Sequence, residues 1–275
     1  MKSLPLDRSM ASLLSKRQSQ SALRALSTAP ATSVDFSSND FLSLTTSPLL
    51  KKYYLEELSS SPNFKLGSGG SRLLDGNSPY AEKLEEELAS FHGAPAGLLF
   101  NSGFDANSGF FSCVPQPGDL ILYDQFIHAS VHEGMKLSRA GACVSFAHNS
   151  IADLEAKLKA YEKQDSLISS GKRNVFVAIE SLYSMDGDLA PIAEIVEIVE
   201  SVLPAGNGHV VVDEAHSNGI YGFQGRGIDF CKIAYLWEGA GFDTSLLTLN
   251  ERILNQLRTT AHLFNGPVIP LLSSH

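Results

Sequence analysis

Short apolar runs alternate with helix-like segments through most of the chain, and this alternation constrains the fold more than any other feature. The runs are AGLLF, DLILY, CVSFA, NVFVAIES and HVVVDEAH. The segments between them carry apolar residues at helical spacing, as in SIADLEAKLKAYEKQ. Strands that alternate with helices are typical of a parallel sheet covered on both faces. The sequence therefore predicts an α/β fold with a mostly parallel sheet.

Composition narrows the class of protein. The chain has 275 residues, of which 43% are hydrophobic, which is ample for a large packed core. A formal net charge of −9 argues against a general nucleic-acid binder. No apolar run reaches the roughly 18 residues of a membrane span, so we expect no contact with a membrane. Three widely spaced cysteines, Cys113, Cys143 and Cys231, are expected to be buried small hydrophobic residues.

The N-terminal segment is rich in serine and in basic residues. Its first 30 residues hold five lysines and arginines against one acid, Asp7. This composition fits a mitochondrial transit peptide and fits an ordinary amphipathic helix as well, with Leu13, Leu14, Ala22 and Leu23 as its apolar positions. We expect a helix and a cytoplasmic location, with a mitochondrial or peroxisomal location as the alternative.

The polar residues at the strand ends indicate chemistry, because ligands of such sheets bind beyond the carboxyl ends of the strands. Asp213 ends the apolar run HVVVD, where a buried carboxylate is costly unless it meets a cation or hydrogen-bond donors. A protonated pyridine nitrogen is one such cation, and His216 follows closely enough to bind a ring oxygen of the same molecule. A metal-binding or nucleotide-binding carboxylate and a capping acid are the alternatives.

Two further strand ends carry candidate residues. Ser102 and Gly103 join a strand to a helix, whose N-terminal N–H groups favour an anion. His128 lies at the start of the next predicted helix, where it either binds a ligand or caps the helix. His132 lies four residues on, a spacing that suits zinc, but there is no HExxH pattern and no third ligand nearby. No metal site is predicted.

Several motifs occur in an order that resembles a known family. They include SSNDFLSL, GSGGSRLLDGN, LLFNSGFDAN, ESLYSMDGDLAPI and VVVDEAHSNGIYGFQGRGI, and together they cover roughly residues 12–228. The chain is similar in these motifs to the pyridoxal-phosphate α-oxoamine synthases. The resemblance implies the large domain of fold type I, which is the aminotransferase class I/II fold, in a homodimer. It also implies a transferase that condenses an amino acid with an acyl-CoA and releases carbon dioxide. The greatest likeness is to the member that joins L-alanine to pimeloyl-CoA in biotin biosynthesis.

The resemblance also implies roles for individual residues. The residues that match the cofactor-binding positions, for pyridoxal 5′-phosphate, are Gly103, Phe104, Ser184, Asp213 and His216. Within this set Asp213 is the partner of the ring nitrogen. His128 matches the catalytic histidine that stacks on the ring. Arg24 and Asn39 match substrate-binding positions.

The Schiff-base lysine of the family is not found in its expected segment. Lys232 is the only lysine after His216, and its surroundings, DFCKIAY, do not match the Thr/Ser-x-Gly/Ser-Lys pattern. We therefore predict three segments: an N-terminal helix and substrate-side loop (1–45), a cofactor-binding large domain (46–228), and a divergent, truncated segment (229–275) without the family's C-terminal small domain.

Three hypotheses follow from the missing lysine. The chain is a synthase by descent with impaired or lost activity, a non-catalytic partner that forms a heterodimer with an intact paralogue, or a relative that acts on another acyl thioester in a secondary-metabolite pathway.

Overall fold

The computed structural model describes residues 4–228, except 29, 31, 61, 62, 64 and 66, together with the backbone of two strands at 234–238 and 245–248. It divides into two compact units, Met1–Ser38 and Asn39–His275. Cys231 and Lys232 lie outside the described residues. In the described part, no helix is both long and apolar enough to cross a membrane.

The first unit contains one helix, α1, which spans Pro5–Ser19. Proline is favoured at the first helical position, and the Asp7 carboxylate accepts the N–H of Leu4 at 3.0 Å. The predicted N-terminal helix is therefore confirmed. It ends before Ala22 and Leu23, which lie in coil and were wrongly expected to continue its apolar stripe. A turn in which Ser21 has φ 53° interrupts the helix ahead of them.

The second unit alternates helices with strands, as the sequence predicts. Its helices are α2 (Pro48–Ser60), α3 (Pro79–Phe91), α4 (Gly103–Cys113), α5 (Ala129–Leu137), α6 (Ile151–Gln164), α7 (Ser166–Ser169) and α8 (Ile192–Val202). Ser78 caps α3 by accepting the N–H of Ala81 at 3.2 Å, and Ser150 caps α6 by accepting that of Asp153 at 3.3 Å. Serine is favoured at both positions, because its hydroxyl accepts a helix N–H that has no partner inside the helix.

The strands form one mixed sheet. They are β1 (Gly97–Phe100), β2 (Leu120–Asp124), β3 (Ala142–Phe146), β4 (Val175–Glu180), β5 (Gly208–Asp213), β6 (Ala234–Glu238) and β7 (Ser245–Thr248). Their order across the sheet is β1-β7-β6-β5-β4-β2-β3. The five strands from β6 to β3 are parallel, and β7 runs antiparallel to both of its neighbours. The mostly parallel α/β architecture is confirmed.

Helices pack on both faces of this sheet and form two apolar layers. One layer joins α4 and α5 to the sheet through Phe110, Phe111 and Val131. The other joins α6 and α8 to the opposite face through residues such as Leu158 and Ile195. Full burial of side chains of this size contributes roughly 1.5–3 kcal/mol each. These layers fix the strands whose carboxyl ends carry the candidate site.

The cysteines are only partly as expected. Cys113 is buried in the layer formed by α4 and α5. Cys143 is exposed, so the prediction is wrong for this residue. The reason is that Cys143 lies on β3, the edge strand, where side chains alternate between a more covered and a less covered face.

Candidate active site

The carboxyl ends of four strands bring polar residues to one edge of the sheet. Asp124, Glu180 and Asp213 are the last residues of β2, β4 and β5, and all three are buried. The register between β4 and β5 pairs Glu180 directly with Asp213. The turn after β1 leads at this same edge into α4. The site predicted from strand ends is thus assembled by the parallel sheet.

Asp213 is a buried carboxylate held by two hydrogen-bond donors. Its side chain is 8% exposed. Oδ1 accepts the N–H of Ala215 at 3.0 Å, and Oδ2 accepts the side-chain amide of Asn107 at 2.8 Å. Among the described residues, no lysine or arginine forms an ion pair with this carboxylate. Each carboxylate oxygen thus accepts one hydrogen bond and can still accept another from a cationic ligand.

Glu180 lies beside Asp213, and its pKa is raised. Burial, reinforced by the negative charge of Asp213, raises the pKa of Glu180 to about 8. The backbone N–H groups of Ser184 and His128 donate to this carboxyl and oppose the rise in its pKa. Near pH 7 the Glu180 carboxyl group is therefore mostly protonated. The sequence places Glu180 at a strand end, but nothing in the sequence alone reveals its pairing with Asp213.

The start of α4 forms an anion-binding corner next to these carboxyls. Ser102 is the N-cap residue, and its hydroxyl accepts the N–H of Asp105 at 3.1 Å. Gly103 and Phe104 follow as the first helical residues, whose N–H groups have no partner inside the helix. Gly103 is buried, whereas Phe104 is 44% exposed. This arrangement suits a phosphate, because the positive end of the helix dipole adds to the free donors.

His128 occupies the N-cap position of α5, and capping is one of its two predicted roles. Its Nδ1 contacts the Ser130 hydroxyl at 2.7 Å and accepts the N–H of Ser130 at 3.3 Å. The Phe104 ring meets the imidazole edge-on, with 6.2 Å between the ring centroids. The cap holds the imidazole close to Phe104 at the start of α4. The capping role and the ligand-binding role are therefore compatible.

His216 and Ser184 lie in the turns that follow β5 and β4. Burial lowers the pKa of His216, although the nearby charge of Asp213 acts to raise it, so the neutral imidazole is favoured near pH 7. The Phe41 ring lies edge-on to His216, 6.1 Å away between centroids. Phe41 was not identified from the sequence, although it follows the SSND motif directly. Ser184 is exposed, and its backbone N–H donates to Glu180.

The two residues expected to bind substrate are both exposed. Arg24 lies in the coil after α1 in the first unit, and Asn39 lies in the loop that begins the second unit. Their roles stay predictions.

A second polar cluster joins the loops after β2, β3 and β4. The His148 ring bridges two carboxylates, with Nδ1 2.9 Å from Asp124 Oδ1 and Nε2 2.8 Å from Asp188 Oδ2. Burial lowers the pKa of His148, but the hydrogen bonds and charges of the two carboxylates outweigh it and raise the pKa overall. Asp186 offers a carboxylate oxygen near His148 and Asp188, and the three ligand atoms lie within 4.8 Å of one another, so the group has the composition of a metal site. The two hydrogen bonds from His148 to the carboxylates hold the three loops together at this point.

Comparison with known proteins shows which family the sequence matches and which solved structures share its fold. The sequence model described as Aminotransferase class I and II matches residues 31–250. An 8-amino-7-oxononanoate synthase of Emericella nidulans is 56% identical over 221 residues, which cover 80% of this chain and 54% of the relative. The aminoacyl transferase sphA of Byssochlamys spectabilis is 45% identical over 196 residues, which cover 71% of this chain and 42% of the relative. The chain thus spans about half the length of these relatives.

A solved structure is similar over nearly the whole chain. It is a serine palmitoyltransferase of Sphingomonas wittichii, with a TM-score of 0.76 and 24% sequence identity, and the match covers 98% of this chain and 70% of that one. The likeness concerns the fold, which is that of the fold type I transferases, as the sequence predicts.

Proposed function

We propose that this chain, which belongs to the aminotransferase class I and II family and within it to the α-oxoamine synthases, binds pyridoxal 5′-phosphate at the carboxyl edge of its sheet. The observation that carries the proposal is the buried Asp213 carboxylate. It accepts hydrogen bonds from two donors and lies beside Glu180, whose pKa is raised to about 8. A protonated pyridine nitrogen supplies the single positive charge that such a pair calls for.

The neighbouring residues fit the other parts of the cofactor. The N–H groups of Gly103 and Phe104 at the start of α4 suit its phosphate. His128 lies at the mouth of the same corner, and we propose that it covers the ring face. We assign the remaining hydrogen bonds to the cofactor to Ser184 and His216, which lie in the turns after β4 and β5. When bound, the cofactor supplies an electron sink for bond cleavage at the α-carbon of an amino acid.

The proposed reaction joins an amino acid to an acyl thioester. The acyl group forms a bond to the α-carbon of the amino acid, and carbon dioxide and the free thiol are released. The 56% identity to an 8-amino-7-oxononanoate synthase supports L-alanine and pimeloyl-CoA as the substrates. The 45% identity to the aminoacyl transferase sphA supports a second candidate, a transferase that uses another acyl thioester.

The missing Schiff-base lysine bears on the activity of the chain by itself. Lys232 is the only lysine after His216, and it lies outside the described residues. We therefore propose that the chain keeps its cofactor site but releases little CoA by itself. It then acts either as a homodimer with impaired activity or as the non-catalytic partner of an intact paralogue.

The test combines the chain, pyridoxal phosphate, L-alanine and pimeloyl-CoA, and follows the release of free CoA with a thiol reagent. Parallel reactions use palmitoyl-CoA or L-serine, and a further set adds an intact synthase in equal amount. We expect saturable cofactor binding with little release of CoA by the chain alone. Absence of cofactor binding would refute the cofactor site, and rapid release from pimeloyl-CoA would refute the impaired activity.

A further inference from the structure

Asn107 and Ser130 connect Asp213, to which the proposed function assigns the ring nitrogen, with His128, to which it assigns the ring face. Asn107 lies on α4 and is 2% exposed, and Ser130 lies on α5 and is fully buried. The Asn107 amide nitrogen donates to Asp213 Oδ2 at 2.8 Å and to Ser130 Oγ at 2.9 Å. Ser130 Oγ in turn lies 2.7 Å from His128 Nδ1. An unbroken chain of hydrogen bonds therefore runs from Asp213 to His128.

The donors and acceptors along this chain have only one consistent assignment. A charged carboxylate only accepts hydrogen bonds, so Asn107 must turn its NH₂ group, and not its oxygen, towards Asp213. Asn107 Oδ1 accordingly has no hydrogen-bond partner among the described residues. The second hydrogen of the amide goes to Ser130 Oγ. Because the backbone N–H of Ser130 donates to His128 Nδ1, this nitrogen is an acceptor, and the Ser130 hydroxyl donates its hydrogen to it.

Two donors therefore meet His128 Nδ1, the hydroxyl at 2.7 Å and the backbone N–H of Ser130 at 3.3 Å. A nitrogen that accepts hydrogen bonds carries no hydrogen, so the neutral ring must carry its hydrogen on Nε2. The imidazole then presents Nε2 as a donor on the edge that faces away from Ser130.

Close packing of α4 on α5 holds these residues in place. A Cβ atom added at Gly134 of α5 would lie 2.8 Å from Phe111 Cβ and 2.9 Å from the Ser108 carbonyl oxygen of α4. Only glycine allows the two backbones to approach this closely. The short distance lets an amide on one helix reach a hydroxyl on the other.

We propose that Asn107 and Ser130 are positioning residues that form a hydrogen-bond relay, through which the Asp213 carboxylate holds His128 in the Nε2–H tautomer. The role of this relay in the cofactor site rests on the proposed function. Its geometry rests on the chain alone, so the relay can be tested without the cofactor.

The test reads the His128 tautomer directly by long-range ¹H–¹⁵N NMR of the imidazole in the full chain without cofactor, at a pH where the ring is neutral. His128→Gln assigns the signals among the eight histidines. In the wild type we expect Nδ1 to resonate as an unprotonated nitrogen. In Asn107→Asp, the new carboxyl group accepts the Ser130 hydrogen, so Ser130 Oγ becomes an acceptor and His128 shifts to the Nδ1–H tautomer.

Ser130→Ala is the second variant, and it removes only the hydroxyl. We expect it to lose the strong preference for Nε2–H and to give a mixture of tautomers. Ser112→Ala, which removes a hydroxyl from α4, the helix that carries Asn107, but away from the relay, should match the wild type. A wild-type His128 that carries its hydrogen on Nδ1 would overturn the proposal. So would an Nε2–H tautomer that persists unchanged in both relay variants.

Titration of the same samples with pyridoxal phosphate separates this proposal from the proposed function. If the relay tautomer is found but the wild type binds no cofactor, the proposed function fails and the relay stands. If the cofactor binds but His128 carries its hydrogen on Nδ1, the relay fails and the proposed function stands.

Discussion

Substitution of Glu180 by glutamine should remove a large part of the pH dependence of folding. The pKa of Glu180 is raised to about 8 in the folded chain, first by burial and then by the charge of Asp213, from an ordinary value of 4.5. Between these values the folded chain holds a proton that the unfolded chain releases. The free energy of unfolding should therefore fall as the pH rises through this window.

The size of the effect follows from the displacement of the pKa. One pH unit corresponds to about 1.4 kcal/mol, so the displacement sets a ceiling of about 5 kcal/mol on the contribution of Glu180. We expect the wild type to lose about 2 to 3.5 kcal/mol more than Glu180→Gln between about pH 5 and about pH 8. Glutamine keeps an oxygen that accepts the N–H groups of Ser184 and His128, so the variant should fold.

The assay is urea unfolding of both chains across this pH range, followed by tryptophan fluorescence and circular dichroism. Asp213→Asn is the second variant, because it removes the neighbouring charge and should reduce the pH dependence without abolishing it. Equal pH dependence in the wild type and in Glu180→Gln would refute the reasoning, since Glu180 would then titrate alike in the folded and unfolded chains.

Three further substitutions test parts of the fold that position the site. Arg72→Ala removes the guanidinium that contacts the buried Glu85 carboxylate, and the urea midpoint should fall by an amount equivalent to about 3 kcal/mol. Gly134→Val forces α4 and α5 apart and should cost about 1–3 kcal/mol, visible as a lower thermal midpoint, whereas an unchanged midpoint would contradict the close approach. Ser78→Ala removes the N-cap of α3 and should cost about 1 kcal/mol in urea, while the same change at exposed Ser59 should cost less.

The sequence predicts the strands well, because burial on both faces leaves continuous apolar runs. All five predicted runs are strands, and β4 is buried at every position. The order of the strands is not predictable from the sequence in the same way, because β7 pairs with β1, which is distant from it in the chain. Helix α2 was not predicted, and the structure leaves none of its side chains buried.

The residues of the candidate site were also only partly predictable from the sequence. Asp213, His128 and the Gly103 turn could be found because each follows an apolar run directly. Asn107 could not, because an asparagine inside a helix says nothing about a partner 106 residues away. The neutral state of Glu180 also depends on tertiary structure, since it arises from the register that sets it against Asp213.

The central claim is that Asp213 is the anion of a pyridoxal-phosphate site. Its most direct test is equilibrium titration of the cofactor, followed by absorbance, on the wild type, Asp213→Asn and the control Glu197→Gln. The control removes the same charge from an exposed position on α8. Borohydride reduction and peptide mapping of the same samples show whether any lysine is labelled.

We predict saturable binding by the wild type and the control, and binding at least about tenfold weaker in Asp213→Asn, which corresponds to about 1.4 kcal/mol. Equal binding by all three chains, or no saturable binding by the wild type, would contradict the account.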